Sequence, residues 1–183
     1  MSLKRTVFRG VGWQVGSDLF QKTLTVAATI LLARLVGPRA FGVFALAMVL
    51  VNALGILKSL GMDDALIRMA DHRPRAVSTA FSATLAAGIV LYAALWLAAP
   101  AAAAFFADPA FVPVLRVLGI AILIQSVSRI PMAVLERQMR FKETAIAETM
   151  GALAYSAVAI ILALDGRGIW AIVYGYLSRV GIA

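Results

Sequence analysis

The chain has 183 residues, 62% of them apolar and 14% charged, with mean hydropathy +0.92 and a formal net charge of +8. Soluble domains run about 45–50% apolar and about 25% charged, so a water-soluble globular enzyme is excluded. A bilayer core takes about 20 apolar residues per spanning helix, and the composition supplies about five such spans; the expected class is an all-α polytopic membrane helix bundle. Cys is absent and His72 is the only histidine, so thiolate and histidine metal sites have nothing to build with. No cofactor, metal or catalytic residue is expected. The basic residues are not clustered with polar surface, so they read as topology signals rather than as contacts to nucleic acid.

In chain order, residues 1–12 carry Lys4, Arg5 and Arg9 and lead into a first span over 13–33. Asp18 and Lys22 interrupt that run and no small-residue cleavage site precedes Arg34, which argues against a signal peptide. Gly37-Pro38 marks a turn before a second span, 41–60, in which Lys58 is the only charge. The segment 61–75 holds Asp63, Asp64, Arg68, Asp71, His72 and Arg73, too polar for lipid. Asp63-Asp64 precedes a short apolar stretch and reads as a helix cap. His72 reads as a solvated loop residue. A third span covers 77–98, and Pro100, Pro109 and Pro113 mark the loop after it. The fourth, 114–135, is interrupted by Arg116, Arg129 and Pro131. The charged segment 136–143 precedes a fifth span, 145–164, and Asp165-Gly166-Arg167-Gly168 makes a tight turn. The sixth, 169–183, is shorter than the roughly 20 residues a crossing needs. The expectation is one bundle over 1–183, with five complete transmembrane helices and a truncated sixth, forming the N-terminal part of a longer protein.

Orientation follows from counting cations. With the N-terminus inside, the inner segments hold Lys4, Arg5, Arg9, Lys58, Arg68, Arg73, Arg75, Arg129, Arg137, Arg140 and Lys142, which is 11, and the outer turns hold Arg34, Arg39, Arg116 and Arg167, which is 4. That asymmetry predicts a cytoplasmic N-terminus. Trp13 at an inner interface, with Trp96 and Trp170 at outer ones, agrees with it.

Polar residues inside the spans are the candidate functional groups. Gln14, Asp18, Gln21, Lys22, Thr25 and Thr29 recur at spacings of three and four, so a helix places them on one face. Leu19, Phe20, Val26, Ala27 and Ile30 are assigned to the other. Such a stripe faces other helices or a hydrated cavity. Lys22 lies about 13 Å beyond Trp13 at 1.5 Å per residue, near the midplane, where a charge costs about 2.5–3.5 kcal/mol. Two readings stand: Asp18 one turn away neutralises Lys22, or Lys22 presents its charge to an anionic ligand. In span four, Gln125 and Arg129 share a face beside the helix-bending Pro131. There Arg129 either snorkels to the interface or offers its guanidinium fork to phosphate. Glu148, just inside span five, is a partner for Lys22 or Arg129, or, with Asp18, a candidate for ion coupling.

Several segments resemble a known family. Arg34-Leu35-Val36-Gly37-Pro38-Arg39-Ala40-Phe41-Gly42-Val43-Phe44-Ala45-Leu46-Ala47 is similar to the turn after helix 1 of bacterial polysaccharide (O-antigen and exopolysaccharide) flippases of the multidrug/oligosaccharidyl-lipid/polysaccharide (MOP) superfamily. Leu60-Gly61-Met62-Asp63-Asp64-Ala65-Leu66-Ile67-Arg68 resembles the segment after their helix 2. Phe141 and Gly168-Ile169-Trp170-Ala171-Ile172-Val173 fit the starts of helices 5 and 6. Arg39-Ala40 departs from the acidic or polar residues that the family more often carries after Gly-Pro. The resemblance implies one lobe of a two-lobed inner-membrane transporter that flips undecaprenyl-diphosphate-linked oligosaccharide for polysaccharide or lipopolysaccharide biosynthesis. Its partners would be the bilayer, the lipid-linked oligosaccharide and a C-terminal lobe or a second copy. By role and face, Lys22 and Arg129 become the cationic substrate-binding candidates. Gln14, Asp18, Thr25, Thr29 and Gln125 line the cavity.

Two other functions compete. An integral-membrane enzyme acting on polyprenyl phosphates would draw on Asp63, Asp64, Asp71 and His72. A drug or cation exporter of the same superfamily would rely on Asp18 and Glu148.

Overall fold

A computed structural model describes the backbone of residues 3–59, 74–137 and 141–182, and the side chains of 19, 21–56, 81–128 and 143–182. The described secondary structure is helical throughout: α1 (Leu3–Val36), α2 (Pro38–Ser59), α3 (Pro74–Phe106), α4 (Phe111–Arg137), α5 (Phe141–Leu164) and α6 (Ile169–Ile182). Four segments are long and apolar enough to cross a membrane: Pro38–Ile56, Phe81–Phe106, Phe111–Ser128 and Glu143–Leu164, with mean hydropathies of 1.9, 2.0, 1.9 and 1.7. Helix α6 is a shorter apolar helix. Large apolar side chains such as Val49, Leu97 and Ile161 stand exposed on these helices, as a lipid solvent permits. The protein is a multi-pass membrane protein, and its described elements are helical.

The prolines refine the expected boundaries. Helix α3 runs through Pro100 to Phe106, where the sequence predicts a loop. A proline removes one backbone donor, but leaving the helix in lipid would strand several polar groups, so the helix continues. Pro113 is the third residue of α4, within the first turn, whose N–H groups have no helical partner in any case. Only Pro109 lies in the four-residue connection, 107–110.

The chain forms two compact units, Met1–Pro38 with Pro131–Ala183, and Arg39–Ile130. In the first, α1 packs on α5, and α5 packs on α6. Ala28 and Leu32, one turn apart on α1, are buried, as are Ala152 and Ala159 on α5 and Ala171, Ile172 and Val173 on α6. The α5–α6 contact is very close. A Cβ placed on Gly175 would lie 2.8 Å from the Cβ of Ala159 and 3.2 Å from the carbonyl oxygen of Tyr155. The turn between these helices ends α5 with Gly166 at φ 73°. Arg167 N donates to Leu162 O (3.0 Å) and Gly166 N to Ala163 O (3.1 Å), the paired bonds of a Schellman end.

In the second unit, Phe111, Leu115, Leu118 and Ile122 occupy one face of α4 and are almost wholly buried, the spacing of a helical core stripe. Helix α3 meets α4 closely enough that a Cβ on Gly88 would fall 3.1 Å from the Cβ of Ser126. The Ser126 hydroxyl donates to its own helix at Ile122 O, 2.6 Å away. The 107–110 connection is held at both ends. Ala107 takes a left-handed φ of 52°, and Asp108 N donates to Ala103 O at 3.2 Å. Asp108 then caps α4, its Oδ1 accepting from Ala110 N at 3.0 Å. Arg39, in the first turn of α2, donates to Asp108 Oδ2 from Nε (3.3 Å) and Nη2 (3.1 Å).

Candidate substrate-binding groove

The polar stripe of α1 divides between packing and an open groove. Gln21 is buried at 7% exposure, and its amide donates to Thr149 Oγ1 on α5 at 3.2 Å. Thr149 in turn donates to Ala145 O at 2.7 Å. Lys22, the next residue, is exposed. It lines a groove of about 260 Å³ together with Gln21, Thr25, Val26 and Arg179. Val26 belongs to the groove because it follows Lys22 by four residues and so shares its face; the sequence reading assigns it to the opposite side. Thr29 is half-buried one turn beyond Thr25, and its hydroxyl donates to Thr25 O at 2.7 Å.

Helix α6 supplies the second cation. Arg179 is half-buried and lies one turn beyond Gly175, whose missing side chain lets α6 sit tight on α5. Tyr155 of α5 is largely buried and lies beside Thr29 of α1 and near Arg179 of α6, so residues of all three helices of this unit meet there. The groove lining thus carries two cations and no carboxylate. Among the described residues the only ion pair is Arg39–Asp108, so neither Lys22 nor Arg179 is neutralised by a described carboxylate. An ammonium and a guanidinium in one concave site of reduced dielectric attract an anion more strongly than either does in water. The planar fork of Arg matches carboxylate or phosphate oxygens.

The other candidates stand as follows. Glu148 is half-buried on α5, in the same unit as the groove, and Gln125 is half-buried on α4 and partnered. Gln14 and Asp18 belong to α1 and Arg129 to α4, but their side chains lie outside the described residues, so the proposed Asp18–Lys22 neutralisation does too. Asp63, Asp64, Asp71 and His72 lie wholly outside them. Arg179 is the groove residue that sequence reasoning passes over. Its signal was available, because it is a cation within an apolar helix, but pairing it with Lys22 requires the α1–α6 contact.

Comparison with known proteins places this geometry. The chain is 30% identical over 172 residues to the succinoglycan biosynthesis transport protein ExoT of Rhizobium meliloti (strain 1021), covering 92% of this chain and 34% of that protein. It is 20% identical over 182 residues to the lipopolysaccharide biosynthesis protein WzxC of Escherichia coli (strain K12), covering 100% of this chain and 37% of that one. The chain therefore spans about a third of the length of these relatives. No solved structure matches it. Residues 31–182 match the model of a family described as polysaccharide biosynthesis protein, and the chain belongs to that family.

Proposed function

We propose that this chain is one lobe of a transporter that moves undecaprenyl-diphosphate-linked oligosaccharide across the inner membrane, and that Lys22 and Arg179 hold the diphosphate. The observation that carries this reading is the groove between α1 and α6, with two cations and no carboxylate in its lining. A diphosphate is the part of such a substrate that offers fixed negative charge, and Lys22 and Arg179 are the groove's complementary charges. The names of the relatives, one a transport protein for succinoglycan biosynthesis and one a lipopolysaccharide biosynthesis protein, support the same direction. In this reading Thr25 and Thr29, with Gln14 and Asp18 further along α1, form the hydrated wall. Glu148, on α5 of the same unit, is the coupling carboxylate. The rest of the transporter, as a C-terminal lobe or a second copy, supplies the opposing wall, since alternating access works by rocking one bundle against another. A cationic groove disfavours an exporter of organic cations.

The test is export of lipid-linked glycan by the intact transporter carrying Lys22→Ala, Arg179→Ala or both, with membrane levels measured alongside. A charge-assisted hydrogen bond contributes about 1.5–3 kcal/mol, so each single replacement should lower export at least about tenfold. Lys22→Arg should keep part of the activity. Unchanged export by the double variant at normal membrane level defeats the reading.

A further inference from the structure

The other unit carries a cation of its own within an apolar helix. Arg116 lies on α4, within the apolar stretch Phe111–Ser128. It stands five residues past Phe111, about 7.5 Å along the helix at 1.5 Å per residue, and so close to the start of that stretch. Its guanidinium carbon sits 3.8 Å from the ring centroid of Trp96 on α3. Trp96 is 44% exposed, so the stacked pair reaches the surface of its unit. The Nε atom of Arg116 is buried and has no hydrogen-bond partner. Asp108 is the one carboxylate among the described residues of this unit, and it is already committed to Arg39 and to the cap of α4. Arg116 is thus a guanidinium near one end of an apolar helix, fixed against an aromatic face and lacking a protein anion among the described residues. The stack orients the guanidinium and restricts its rotamers. What it lacks is a planar-matching anion arriving from outside the protein.

We propose that Arg116 and Trp96 form a site for the phosphate of a membrane lipid, the indole holding the guanidinium while its terminal nitrogens donate to phosphate oxygens. The lipid tails then lie along the exposed apolar face of α3, where Ile89, Val90 and Leu97 stand open. This inference rests on the membrane class of the protein and is independent of the transport reading. Two kinds of lipid carry the required group, a glycerophospholipid and a polyprenyl phosphate.

The experiment is native mass spectrometry of the detergent-purified protein, titrated separately with dioleoylphosphatidylglycerol, dioleoylphosphatidylcholine and undecaprenyl phosphate. The variants are Arg116→Gln, Arg116→Lys and Trp96→Leu. The expected result is preferential retention of phosphatidylglycerol over phosphatidylcholine, weakened at least about tenfold by Arg116→Gln. Arg116→Lys and Trp96→Leu should weaken it less, because each keeps one half of the pair. Displacement of phosphatidylglycerol by an equal concentration of undecaprenyl phosphate would keep the site and identify the polyprenyl lipid as its occupant; failure to displace would keep it as a glycerophospholipid site. Equal retention of every lipid by wild type and Arg116→Gln overturns the proposal. If Arg116→Gln does not fold, Arg116→Lys and Trp96→Leu decide: retention unchanged in both overturns it.

Discussion

Ala107 holds a left-handed backbone conformation, φ 52°, at the position where helices usually end on glycine. For a residue with a Cβ this conformation costs about 1–2 kcal/mol, while glycine loses about 0.5–1 kcal/mol more backbone entropy than alanine on folding. Ala107→Gly should therefore stabilise the protein by about 0.5–1 kcal/mol, measured as a raised midpoint of thermal unfolding in detergent. The neighbouring Asp108 sets a pH dependence. The N–H of Ala110 and then the guanidinium of Arg39 hold its carboxyl below the usual 3.8, against a smaller opposing effect of burial. A depressed native pKa means the ionised form is the stabilising one. Its contribution is complete above pH 3.8 and is lost as pH falls through the lower native value. Wild type should exceed Asp108→Asn in stability from neutral pH down to about pH 4, and the two should converge below that. The ion-pair share of the difference should shrink in high salt, because Arg39 is 83% exposed and exposed pairs are screened.

Helix pairs are governed here by what is missing from them. Gly175 allows α6 to reach α5, and a Cβ there would meet Ala159 at 2.8 Å, closer than two carbons can pack. Gly175→Ala should push the helices apart and cost about 1–3 kcal/mol, the range for overpacking a tight contact. Adding Ala159→Gly should recover part of that loss, so a double-mutant cycle in thermal unfolding should show coupling between the two positions. Most of this level was legible from residue order. Apolar runs and Gly-Pro punctuation locate the six described helices, because a lipid-crossing helix needs length and apolarity more than any specific partner. The miss at Pro100 has the same origin: a proline that would end a helix in water is kept inside one in lipid. The groove was half legible. Lys22 announces itself as a charge in an apolar span, whereas its companionship with Arg179 depends on how α1, α5 and α6 pack. The aromatic partner of Arg116 is likewise a tertiary fact. Periodicity along one helix cannot say which residue of another will stand opposite.

At the scale of the whole molecule, charge asymmetry is the strongest orientation signal, 11 cations in the inner segments and inner span ends against 4 in the outer ones. It predicts that reporter enzymes fused at residue 2 and within 61–75 and 136–143 are cytoplasmic, and that fusions within 107–110 and at 166 are exported. An exported reporter in 61–75 would reverse the topology and exchange the faces from which the groove is loaded and emptied. The chain covers 34% and 37% of the two relatives, so under the proposed function the groove is one wall of a larger enclosure.

The hydroxyls and the amide in these helices differ in where they find partners, and this bears on how the protein is made. Thr29, Ser126, Thr149 and Ser156 each donate to a carbonyl four residues back in their own helix, so each brings its acceptor with it into the bilayer. The bond from Gln21 to Thr149 instead spans 128 residues of chain. It cannot form until α5 has been synthesised and has entered the membrane. During translation α1 is inserted long before that, with Lys22 beside the waiting amide. Helix α1, made before α5, therefore completes its hydrogen bonds only once α5 has arrived, and its final seating is an event of assembly rather than of insertion.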